Sequence, residues 1–89
     1  MAIFMVVPTE PSELLRPHME SLQQAEKIKF QLLPRGEYFV SFKGASQELS
    51  DLLGISDGTK GSGVVASINS YYGYASNNLW EWLSAHWEH

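Results

Sequence analysis

The sequence predicts an α+β domain: a four-stranded antiparallel sheet with two helices on one face and an extra amphipathic helix at the C-terminus. Three observations carry this. The stretch Ala2 to Val7 is a nearly continuous apolar run of strand length. Between Lys27 and Lys43 the residues alternate between apolar and polar around Pro34-Arg35-Gly36, as in a hairpin. The segments Ser12 to Leu22, Ser46 to Leu53 and Leu79 to Trp87 instead repeat their apolar residues at helical spacing.

The first strand ends at Pro8, which cannot donate to a ladder, and its apolar character suits a central position. Pro11 and Ser12 open a helix whose stripe is Leu14, Leu15, Met19 and Leu22. Pro17 lacks an amide donor, so it must kink that helix or delay its start. In the second strand Ile28, Phe30 and Leu32 share one face, while Lys27, Lys29 and Gln31 share the other. In the third, Tyr38, Val40 and Phe42 alternate with Phe39, Ser41 and Lys43. The register of this strand stays open, because either Phe39 or Val40 could face away from the first two helices.

Ser46 is expected to cap a short helix carrying Leu49, Leu52 and Leu53, with Gly54 as its stop. Ser56 to Gly63 reads as a turn-rich loop. Val64 to Ile68 forms the fourth strand, extending toward Tyr71 until Gly73 breaks it. An N-cap at Asn78 would place Glu81 in the capping-box position. In the last helix Leu79, Trp80, Trp82, Leu83, His86 and Trp87 fall on one side, opposite Glu81, Ser84, Ala85 and Glu88.

The resulting order, β-α-β-β-α-β-α, is that of a ferredoxin-like sandwich with one added helix. Right-handed crossovers place strands one and three at the centre. One face of the sheet is then left bare by the first two helices. The tryptophan helix or a second subunit is expected to cover it.

The 89 residues fit a single domain spanning 1–89, and a 44% hydrophobic composition is that of a globular chain. The absence of cysteine excludes disulfides, thiolate metal sites and cysteine nucleophiles. No apolar run is long enough to span a bilayer, and the first residues lack the basic start of a signal peptide. The expectation is therefore a cytoplasmic protein without a membrane partner. Net charge is −4, yet the window 27–43 carries +3 through Lys27, Lys29, Arg35 and Lys43 against Glu37, leaving −7 elsewhere. Such a patch can solvate a hairpin and discourage edge pairing, or it can meet an acidic partner.

Enzyme chemistry finds little to work with. His18, His86 and His89 are not at metal-ligand spacing with a carboxylate, and Glu10 and Glu13 read as charges at a helix start. Ser41, Ser67 and Ser70 have no adjacent base, and Gly58 to Gly63 lacks the order of a phosphate-binding loop. No catalytic residue, metal or cofactor is assigned.

Two resemblances add to this. Arg35-Gly36-Glu37-Tyr38-Phe39-Val40-Ser41-Phe42 resembles the third-strand octamer of the RNA-recognition motif, and Ile3-Phe4-Met5 its first-strand opening. That likeness implies base stacking on Phe4 and Phe39. Glu37 stands where the family has another aromatic. Over most of its length, the chain resembles small bacterial ferredoxin-like proteins related to the CRISPR-associated integration subunit. The residues that carry this are Gly36 to Phe42, Ser46 to Leu53, Val64-Val65-Ala66 and Trp82-Leu83. It implies a homodimer, with metal-dependent nuclease activity in some members. Those members carry an acid at the end of the first strand, where this chain has Val7-Pro8-Thr9 with Glu10 nearby.

The leading functional expectation is a non-enzymatic interaction or assembly module, homodimeric, with Trp80, Trp87 and Tyr71 at its interface. The second is a single-stranded nucleic-acid-binding domain using Lys27, Lys29, Arg35, Phe39 and Lys43. A metal-dependent nuclease is the third.

Overall fold

A computed structural model describes residues 2–70, 73 and 77–87. Among the described residues the fold is α+β, with a four-stranded antiparallel sheet and three helices. The elements run β1 (Ala2–Pro8), α1 (Leu15–Gln24), β2 (Lys29–Leu32), β3 (Tyr38–Phe42), α2 (Ser46–Leu53), β4 (Gly63–Ile68) and α3 (Asn77–His86). The strand order is β2-β3-β1-β4, and every neighbouring pair is antiparallel. β1 and β3 are central, as the crossover rule requires. No helix among the described residues is long and apolar enough to cross a membrane.

Cross-strand partners settle the register. Phe4 lies opposite Val40 and Met5 opposite Phe39, while Ile3 and Met5 face Ile68 and Ala66 across the other ladder. Side chains alternate along each strand. One face therefore collects Phe4, Val6, Tyr38 and Val40. These pack with Leu15, Met19 and Leu22 of α1 and with Leu49 and Leu53 of α2. Phe4 meets Phe42 edge-on at 6.1 Å, and Phe30 meets Tyr38 at 5.7 Å. The opposite face collects Ile3 and Phe39, which are buried together with Leu83 of α3. Met5, Leu33, Ile68, Leu79, Trp80, Trp82 and Trp87 complete this second cluster. The tryptophan helix is thus the cover of the second face, and the molecule has three layers.

Pro17 delays α1 instead of kinking it. The helix begins at Leu15, so the proline falls in the first turn, where its missing amide costs no ladder bond. Ser12 Oγ accepts from the amides of Leu14 and Leu15, and its hydroxyl donates to the carbonyl of Lys60. His18 Nε2–H donates to the Leu52 carbonyl at 2.9 Å and ties α1 to α2. In α3 the His86 ring stacks on Trp82, with centroids 4.4 Å apart, and its Nδ1–H donates to the Trp82 carbonyl. The helix starts at Asn77, so Asn78 is inside it, and the residue before it lies outside the described residues.

The cap of α2 falls one residue earlier than its sequence suggests. Ala45 has the extended N-cap conformation, and Ser46 is the first helical residue. Glu48 Oε1 accepts from the Ala45 amide at 3.0 Å, which is half of a capping box. Alanine has no oxygen with which to return a bond to the Glu48 amide. Gly54 ends the helix at φ 77°, as a left-handed stop. Ala45→Ser is therefore expected to add about 1 kcal/mol of stability. Thermal unfolding would show this as a midpoint raised by roughly 4–8 °C. An unchanged or lower midpoint would contradict this reading of the cap.

Candidate functional site

The basic residues of the hairpin do not form one patch. Lys29 is exposed at the start of β2, opposite Ser41. Continuing that register beyond the strand ends sets Lys27 across from Lys43, both exposed. These three lysines share one end of the hairpin. Arg35 is at the other end, in the turn closed by Gly36 N–H to Leu33 O and Leu33 N–H to Glu37 O. The two ends stand roughly 15 Å apart at about 3.3 Å per residue.

Arg35 instead lines an open cleft of about 450 Å³ together with Glu10 and Glu37. Its walls are Pro8 to Ser12, at and beyond the end of β1, and Arg35 to Tyr38, leading into β3, with Leu15. The sheet brings these segments together because β1 and β3 are neighbours and Val6 pairs with Tyr38. A cleft lined by one guanidinium and two carboxylates can orient a small polar molecule. Among the described residues no group of three or more acids and histidines is close enough to hold a metal ion.

Phe39 is only 8% exposed, beneath α3, and Phe4 is buried against α1 and α2. The two rings lie on opposite faces of the sheet and form no common platform for bases. Trp80 and Trp87 are half-buried members of the second cluster. Tyr71 lies outside the described residues.

The two sheet edges differ. On β2 the Phe30 amide points away from β3 and is taken by Gln23 Oε1 at 2.9 Å, with Lys27 and Lys29 beside it. On β4, Val64 is 56% exposed, and Ala66 and Ser67 are exposed as well. Among the described residues no group outside the sheet bonds to β4 between Val64 and Ile68. The sequence offers a sign of this that motif reading passes over: no charged residue occurs from Gly61 to Trp80. Charges and prolines are the usual means of blunting an edge, and β4 has neither.

Comparison with known family models, characterised proteins and solved structures finds no match to this chain.

One titratable group at the cleft has a resolved shift. Burial pushes the Tyr38 hydroxyl above its usual range, with nearby Arg16 pulling it down and Glu20 pushing it further up. The unfolded chain ionises near pH 10, before the folded one, so stability is complete below that pH and falls as pH rises through the folded value. Between about pH 9 and about pH 11, the native protein is expected to lose more stability in denaturant titrations than Tyr38→Phe does. Equal losses would contradict the assignment to Tyr38.

Proposed function

We propose that this chain is a small interaction or assembly module of ferredoxin-like architecture, working as a homodimer and carrying out no chemistry of its own. The strand order supports the architecture. Read from the other edge it is β4-β1-β3-β2, the arrangement that two interleaved βαβ units produce. Kinship with the small bacterial proteins related to the CRISPR-associated integration subunit belongs to the same proposal. It rests on Gly36 to Phe42, Ser46 to Leu53, Val64 to Ala66 and Trp82-Leu83. A cytoplasmic setting is part of this reading and is compatible with a chain that has no cysteine.

The observation that carries the functional reading is the uncharged run from Gly61 to Trp80, which includes the exposed strand residues Val64 and Ala66. An uncharged, partly apolar surface on a protein of net charge −4 favours protein contact over phosphate. A contact of this kind is insensitive to salt. Binding to nucleic acid through Lys27, Lys29 and Lys43 would instead weaken steeply as salt rises.

Size-exclusion chromatography with light scattering, at low and high salt and with or without short RNA and DNA, separates the two. The expected result is a dimer mass at both salt concentrations, unmoved by nucleic acid. A monomer that shifts with RNA at low salt and releases it at high salt would overturn the proposal in favour of the lysine cluster.

A further inference from the structure

We infer that the second copy joins at the outer edge of β4, pairing antiparallel with its own counterpart to make one continuous eight-stranded sheet; this rests on the homodimer reading above.

Ladder parity identifies the free groups. The Thr9 amide bonds to the Ser62 carbonyl, and that pair continues the β1–β4 register. Antiparallel ladders alternate bonded and non-bonded pairs. Two residues further on each time, Val64, Ala66 and Ile68 turn their amides and carbonyls toward β1. Val65 and Ser67 turn theirs outward, to the edge. The β2 edge gives the same alternation, since Phe30 bonds outward to Gln23.

Self-pairing fits this edge in three ways. A two-fold through Ala66 lets Val65 of each chain exchange both bonds with Ser67 of the partner subunit. It also sets exposed Val64 beside Ile68 of the partner subunit, on the same face of the joined sheet. With no charge from Gly61 to Trp80, placing this strand against itself opposes no like charges. Finally, on the β2 edge Gln23 occupies the outward Phe30 amide and lysines flank the strand, so pairing there is disfavoured and growth stops at two copies. The assembly closes as an isologous dimer and does not propagate as a fibre.

Two substitutions test the edge without touching the β1 ladder. Ser67→Pro removes an outward donor, twice by symmetry, at a position where an edge strand tolerates proline. Ala66→Lys adds a charge at an exposed site that would meet its own copy across the two-fold. Each is measured by light scattering over a dilution series, with circular dichroism as the check on folding.

Both variants are expected to keep the native spectrum while self-association weakens about tenfold or more. Mixing Ala66→Lys with Ala66→Glu is expected to restore a dimer. Variants that dimerise as the wild type does would overturn the β4 contact and leave the homodimer reading standing. A wild-type chain that is monomeric throughout would overturn both.

Discussion

A sheet that is apolar on both faces has to be covered twice. β1 presents Phe4 and Val6 to one side and Ile3 and Met5 to the other. Two helices close the first side. Were the second left open, Ile3 and Phe39 would face water, at a cost of about 1.5–3 kcal/mol for each large side chain. A domain whose net stability is about 5–15 kcal/mol cannot carry several such exposures. α3 resolves this by laying Leu83 on Ile3 and Phe39, with three tryptophans around them. The aromatic wealth of the C-terminal helix is first of all a structural requirement.

Once both faces are closed, the outlets for recognition are the edges, the loops and the cleft beside the hairpin turn. The same chain treats its two edges oppositely. Gln23 occupies the outward Phe30 amide of β2 and lysines flank that strand, whereas β4 keeps exposed small and apolar residues. The lysines at that hairpin end put charge on the β2 side of the sheet, which disfavours extending it there. Arg35, separated from those lysines by the length of the hairpin, belongs with Glu10 and Glu37 instead.

Much of the fold was legible because the local signals agreed with one another. Alternation marked β2, Pro34-Arg35-Gly36 marked its turn, and the one-sided spacing of Leu79 to Trp87 anticipated α3. The register of β3 was not legible, since Tyr38, Phe39, Val40 and Ser41 are all buried and alternation conveys no polarity there. Only pairing with β1 decides that Phe39 goes under α3. The shift of the α2 cap to Ala45 was hidden for a similar reason: an alanine N-cap goes against propensity and is held by Glu48 alone. Of the site, the individual residues were visible, but that Glu10 and Arg35 line one cleft depends on β1 and β3 being neighbours. The open edge left a trace in the sequence as an absence of charge, which motif searching does not weigh.

The covering of the second face by α3 is tested most directly by Leu83→Ala, measured by denaturant unfolding. Leu83 is 2% exposed, so removing its side chain is expected to cost about 2–4 kcal/mol, the range for a core leucine. A loss under about 0.5 kcal/mol, the value for a solvent-facing helix position, would contradict the account and leave that face of the sheet without its cover.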